Sequence, residues 1–446
     1  MKEDKELLRR VSDAWMDLEP FRSRRERCKR FAYGDQWGDP VRLSDGRITS
    51  EEEAMSLRGS IPVTNNLIRR LIKGIVGRYR LMSNGGLGEL RELGDPTPQE
   101  ENDARLLEEF LISGAAFMRV EKGRCRNVAA GEIFFRRFAE SDGSDCRMIG
   151  MLHEMPAGEA TRRFSQGNPR RAAEILARTA SRSGGSLLPD AAAYGCSRVA
   201  EVWELTEDAM IAVHDPLTGE YAMSPCTPDH AAALEDANAR RRSRGKRELN
   251  HGICCTPRWQ ETWLGADGCV LSRRLHAPGR SHPFLMRLYP YIDGEVHSLV
   301  EDLLCQQKYV NRLVTLLDDV ISNSAKGVLL FPADQLPEGF TWKEMRRLWA
   351  HPGGIIPYKR TSRTQTPQQV HTHGTFEGAR EMLVTQLAIL DEVGGLPSVT
   401  SRGETNIQRG AEAMRRESEN GIIAILDILS AFRSLIARRD RMTGTT

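Results

Sequence analysis

A chain of 446 residues with 40% hydrophobic and 28% charged side chains is an ordinary globular composition, long enough for roughly two to three domains. Its 63 basic and 61 acidic side chains leave a net charge of +2, which excludes a polycation that grips nucleic acid along its whole length. Nine scattered cysteines without a C-x-x-C exclude a disulfide scaffold, and no run approaches the ~18 apolar residues of a membrane span. The charged first ten residues lack an apolar signal core, which points to the cytoplasm.

Residues 3–30 read as an amphipathic helical stretch, with Leu7, Leu8, Val11, Trp15 and Leu18 on one side and a basic run from Arg22 to Arg30 beyond Pro20. An aromatic turn with Tyr33, Gly34, Gln36 and Trp37 follows, then a polar loop or short helix over 39–60. Thr64 or Asn65 is placed to cap a basic helix over 67–81, and residues 100–113 form another helix. From Ala115 the texture changes to short apolar or alternating runs at 116–120, 133–138, 148–152, 198–205, 210–214, 260–264 and 269–271, separated by glycine turns. Helical insertions are expected at 159–183 and 229–248, so the body is a mixed α+β domain.

The strongest periodic signal is Val296, Val300, Leu303, Gln307, Val310, Val314, Leu317 and Ile321, a seam at alternating spacings of four and three. A single helix over 295–324 would be about 45 Å long. A Pro/Gly-rich block over 327–375 follows, with strands at 328–331 and 354–358 and a helix started by the capping box Thr341-x-x-Glu344. A return helix over 376–391, a Gly-Gly loop and an amphipathic helix over 407–442 complete the chain, an α+β, mainly helical pattern. The long helix and its return form a wall segment whose seam packs against a neighbouring subunit. Within it Gln307 reads as a polar contact that sets register between neighbours.

Catalytic signatures are sparse. The chain lacks a phosphate-cradling G-x-x-x-x-G-K-[ST], a G-x-S-x-G elbow and an H-E-x-x-H. Cys226, His230, His251 and Cys254 have zinc-compatible chemistry at a spacing that fits no finger or ribbon. Glu140, Asp142 and Asp145 are oxygen ligands suited to Mg²⁺, and two of them flank a glycine turn. No cofactor is called for.

The succession of elements resembles the portal proteins of tailed bacteriophages. The residues that carry it are Tyr33-Gly34-Asp35-Gln36-Trp37, Pro62-Val63-Thr64-Asn65-Asn66, the stretch from Gln306 to Leu313, and Ser324 to Leu330. The resemblance implies a portal fold with a mixed α/β wing over 1–292, a stem helix over 293–325 and a small α/β clip over 326–375. A second stem helix over 376–392, a tunnel loop over 393–406 and a short helical crown over 407–446 would follow. It implies a ring, dodecameric in the particle, and a virion protein at one capsid vertex, assembled in the host cytoplasm. Its partners would be other copies of itself, the major capsid protein, the terminase large subunit, a head-completion adaptor and double-stranded DNA in the channel, with no membrane and no enzymatic activity.

On that reading Asp391, Glu392, Arg402 and Glu404 belong to the DNA channel and tunnel loop. The seam from Val296 to Ile321 packs the stem, and Trp342, Trp349, Tyr358, Lys359 and Arg360 dock terminase and adaptor. Two other readings stand beside it. One is a metal-dependent nucleic-acid-processing enzyme built on Glu140, Asp142 and Asp145. The other is a monomeric helical adaptor that binds DNA through the Arg22–Arg30 and Arg69–Arg80 stretches.

Overall fold

The structure, a computed structural model, describes the chain except residues 1, 84–96, 137, 181–187, 190–194, 325–327, 338, 351–355, 360–365, 371–375, 395–422, 424 and 445–446. Helix α1 (Lys2–Asp17) gives way at Leu18 to α2 (Glu19–Tyr33), which carries Pro20 in its first turn, where a missing N–H costs nothing. A hairpin of β1 (Pro40–Arg42) and β2 (Ile48–Ser50) leads into the short α3 (Glu51–Ser56), and then come α4 (Leu67–Ser83) and α5 (Pro98–Ser113). A capping box between Thr97 and Glu100 starts α5. Gly114, at φ 71°, ends it, and a Cβ there would lie 2.4 Å from the His297 carbonyl oxygen.

The α+β body continues with β3 (Ala115–Glu121), β4 (Arg124–Asn127), β5 (Ile133–Arg136) and β6 (Met148–Pro156). The helical insertion expected at 159–183 is two helices, α6 (Ala157–Phe164) and α7 (Pro169–Ala180). Gln166 and Gly167 adopt left-handed backbone between them, which no continuous helix accommodates. Strand β7 (Cys196–His214) joins the two strands expected at 198–205 and 210–214. Residues 206–208 are polar, but no glycine or proline interrupts 206–209, and they keep pairing with β9.

Strand β8 (Tyr221–Pro225), α8 (Pro228–Ser243), β9 (Asn250–Gly265), β10 (Val270–Leu275) and β11 (Phe284–Leu288) follow, then the small hairpin of β12 (Tyr291–Ile292) and β13 (Glu295–Val296). The long α9 (Leu299–Ser324) starts four residues later than the periodicity predicts, because Ser298 caps it by accepting the Glu301 N–H at 3.0 Å. The last elements are β14 (Val328–Leu330), α10 (Trp342–Ala350), β15 (Gln368–Val370), α11 (Phe376–Val393) and α12 (Leu426–Thr443).

These elements group into two units. The first comprises Met1–Lys29, Ile72–Asp302 and Ile425–Thr446. Its main sheet has the antiparallel order β10-β9-β7-β6-β5, with β8 on the far end of β7, and β11-β3-β4 form a second sheet. Alternation places successive residues of the main sheet on opposite faces. Phe135, Ile149, Met151 and Trp203 join Phe117, Phe284, Met286 and Phe21 on one side. Phe134, Met148, Leu152, Ala200 and Val202 meet Leu7, Leu8, Val11 and Ala14 of α1 on the other. A third cluster lies with Phe164 and Ile175 of α6 and α7.

Helix α12 belongs to this body. Its fully buried Phe432 packs edge-on to Tyr79 at 5.3 Å and against Phe110 at 5.9 Å, and Asp427 accepts the Tyr289 hydroxyl at 3.0 Å. The described part of the segment expected as a crown is therefore sheet-packed core.

Gly150 on β6 lies where the backbone of β7 and the Phe134 ring converge. A Cβ there would meet the Glu201 carbonyl oxygen at 2.2 Å and the ring at 2.3 Å. Gly150→Ala is expected to destabilise the protein by about 3 kcal/mol, since the backbone obstacle cannot rotate away. A chemical-denaturation midpoint unchanged from the parent would contradict that close approach.

The second unit comprises Arg30–Leu71 and Leu303–Ala424. Here β14 pairs with β15, Val328 opposite Val370. Of the second strand expected, 354–358, the described residues 356–358 are not strand, and the polar Gln368–Val370 is the strand that pairs with β14. The Thr341–Glu344 capping box forms as expected, and Trp342 lies edge-on to Phe331 at 6.1 Å.

Candidate functional site

Three of the stretches singled out in the sequence, 33–37, 62–66 and 306–313, converge in one buried network of the second unit. Along α9, Gln307, Asn311 and Thr315 recur every four residues, a rise of about 6 Å on a helix. Every second residue of an extended chain advances by about 6.6 Å, so an antiparallel extended segment can meet each of these side chains in turn.

Residues 63–68 do so. Val63 N donates to Thr315 Oγ1 at 3.0 Å, Asn65 N to Asn311 Oδ1 at 3.0 Å, and Leu67 N and Ile68 N to Gln307 Oε1 at 3.1 and 3.2 Å. Gln307 Nε2 returns bonds to the Asn65 carbonyl at 2.7 Å and to Asn311 Oδ1 at 3.0 Å. Asn311 Nδ2 reaches Gln36 Oε1, whose own amide nitrogen holds the Phe31 carbonyl at 2.8 Å. Trp37 Nε1 bonds Thr64 Oγ1 at 3.0 Å.

Gln307, Asn311 and Thr315 are 0, 1 and 2% exposed, so the α9 side of the ladder is buried, and its bonds to Leu67 N and Ile68 N lie in the interior. Gln307 also supplies the start of α4 with acceptors for two of its orphan N–H groups, and Asn66 Oδ1 takes a third, from Arg69, at 3.0 Å. Asn66 thus caps the helix in place of the expected Thr64 or Asn65.

One step around α9, Lys308 and Arg312 face carboxylates. Lys308 Nζ lies 2.5 Å from Asp39 and 3.3 Å from Glu51, and Arg312 Nε lies 3.0 Å from Glu51. Arg30 adds a second cation at Asp39, at 3.1 Å. Asp39 and Glu51 are 7 and 5% exposed, so each buried carboxylate is compensated by cations.

This arrangement corrects two expectations. Gln307 cannot set register between neighbouring subunits, because its amide is engaged within its own chain. Most of the seam is likewise internal: Val300, Leu303, Val310 and Leu317 are buried, and Val296 sits in β13 and packs in the body core. Ile321 and the neighbouring Leu316 are half exposed, and Val314 is partly covered. The polar interval of four within an otherwise apolar helix face was the sequence signal for the ladder.

Asp391 is also internal. It is 3% exposed and paired with Arg70 Nη2 at 2.5 Å, whereas Glu392 beside it is exposed. Trp342 and Tyr358 are exposed, Lys359 is exposed and donates its backbone N–H to the Gln335 carbonyl at 2.9 Å, and Trp349 is half-buried. Arg360, Arg402 and Glu404 lie outside the described residues.

Asp142 and Asp145, two of the three acids considered for Mg²⁺, are held by local partners. Asp145 accepts the Ala139 and Glu140 N–H groups at 2.6 and 3.1 Å, and Asp142 accepts from Ser144 at 3.0 Å and faces Arg438 at 3.3 Å. Strand β7 separates Cys226, at the end of β8, from Cys254 on β9, and His230 Nδ1 lies 2.6 Å from its N-cap partner Thr227. Among the described residues no group of three or more His, Cys, Asp or Glu is placed to hold a metal ion, and no helix is long and apolar enough to cross a membrane.

Helix α9, the β14–β15 block and α11 follow one another along the chain. A family model described as phage P22-like portal protein matches residues 116–441. The chain belongs to the phage P22-like portal protein family. No curated protein matches it.

Proposed function

We propose that the chain is the subunit of a homo-oligomeric ring, dodecameric in the particle, set at one capsid vertex. Double-stranded DNA enters through its channel under the terminase motor and later leaves by the same path. The observation that carries this reading is the family match across residues 116–441, which takes in α9, the β14–β15 block and α11. Members of such a family act as structural components of the virion, so the chain works by shape rather than by catalysis.

Within the proposal, the exposed Leu316 and Ile321 of α9 pack against a neighbouring subunit. Trp342, Tyr358 and Lys359, with Trp349 and Arg360, dock the terminase large subunit and then the head-completion adaptor. Glu392, at the exposed end of α11, faces the channel together with Arg402 and Glu404, and its charge discourages DNA from sticking. The major capsid protein surrounds the ring, which assembles in the host cytoplasm.

Negative-stain imaging and native mass measurement of the purified chain test the reading. Rings with a central hole are expected; a monomer at high concentration would overturn it.

A further inference from the structure

The β3–β4 hairpin carries a group of cations that the portal reading does not use. Its turn is Lys122-Gly123, with left-handed backbone at both residues. Register places Arg119 directly opposite Arg126 and Glu121 opposite Arg124, so two guanidinium groups share a face of the ladder, an unfavourable juxtaposition without a counter-charge. A depression of about 620 Å³ opens here, lined by Arg119, Glu121, Lys122, Arg124, Cys125 and Arg126.

Arg119 is its floor. It is 7% exposed, bonds Glu121 through Nη1 and Glu201 through Nη2, and its buried Nε has no hydrogen-bond partner. Lys122, Arg124 and Arg126 are exposed, and none of them forms an ion pair with a carboxylate of the described residues. The field of Arg163, which stacks 4.1 Å from the Trp263 ring, also acts at Glu121. Arg119 is paired with both Glu121 and Glu201, which leaves Lys122, Arg124 and Arg126 as three cations of the lining against no further acid in it.

We propose that this depression binds a phosphate-bearing polyanion, either a free oligophosphate or the backbone of a nucleic acid, with Arg124 and Arg126 as the principal ligands and Lys122 at the rim. Guanidinium groups match phosphate oxygens two at a time, and Arg124 and Arg126 are exposed and form no ion pair with a carboxylate of the described residues.

Calorimetric titration of the full chain with inorganic tripolyphosphate, and fluorescence titration with a short DNA duplex, test it. Against whichever probe binds, the Arg124→Ala/Arg126→Ala variant is expected to lose about tenfold or more in affinity, and for the duplex the log–log salt slope should fall by about two. Glu121→Gln removes the acid from the lining and is expected to tighten binding, an opposite sign that a merely unfolded variant cannot produce. A loss confined to tripolyphosphate assigns the site to a free oligophosphate, and a loss confined to the duplex assigns it to nucleic acid. Equal affinities in parent and both variants for both probes would overturn the proposal.

Discussion

Replacing Gln307 with leucine is expected to destabilise the second unit by roughly 3–5 kcal/mol. The substitution conserves bulk but strips acceptors from the buried Leu67 N and Ile68 N and a donor from the carbonyl of the exposed Asn65. Each buried group left unpaired costs about 1–3 kcal/mol, and leucine recovers little because the site is built for an amide. Glutamate should be less damaging to the α4 N–H groups, since its carboxylate still accepts, but it loses the bond to Asn65. Chemical denaturation of the leucine variant, followed by tryptophan fluorescence, measures the loss; a midpoint within experimental error of the parent would show that the ladder is not what holds residues 63–68 to α9.

The second large effect concerns Glu201. This carboxylate is fully buried in the main sheet and receives Arg119 Nη2 at 2.9 Å and Trp203 Nε1 at 3.0 Å, with His153 Nε2 at 2.9 Å. Burial pushes its pKa up, but the His153 hydrogen bond and the Arg119 charge outweigh burial and hold it at about 2, below the ordinary 4.5. The folded state therefore gains stability from Glu201 that is fully present above the unfolded pKa near 4.5 and is lost as pH falls toward 2. By linkage that contribution is about 3 kcal/mol.

Arg119→Met removes the main counter-charge and leaves the carboxylate buried, so a loss of roughly 3–5 kcal/mol at neutral pH is expected. Adding Glu201→Leu to that variant should restore much of the loss, because a paired charge replaced by apolar bulk costs little. Stability measured from pH 7 down to pH 3 separates the effects: the parent should weaken on acidification, and the double variant should lack this component. An Arg119→Met protein as stable as the parent at neutral pH would count against the network.

Periodicity revealed α9 because a continuous apolar seam has one geometric solution. It did not reveal what covers the seam, since burial by the chain's own segment and burial by a neighbour leave the same pattern. Gln307, Asn311 and Thr315 held the answer, because polar groups at one helical spacing call for a row of backbone partners, and Val63, Asn65 and Leu67 are that row. Strand β15 escaped notice because Gln368 and Gln369 give it no apolar alternation. Asp391 read as an unfavourable charge at a helix end, and only the folded chain brings Arg70 to it across more than three hundred residues. The motifs at 33–37 and 62–66 were visible as resemblances, but their joint purpose is a long-range hydrogen-bond pattern that local spacing does not encode.

The placement of α12 carries a consequence for how the protein is made. The first unit is assembled from three separate stretches of chain, and Phe432 and Leu435 of the last one are fully buried in it. A ribosome that has delivered the whole main sheet still leaves Phe110 and Tyr79 without their partner until residues 426–443 emerge. The nascent body thus waits, incomplete, through the synthesis of well over a hundred intervening residues, and closure costs the entropy of a long loop. The first unit is therefore complete only after α12 has been made.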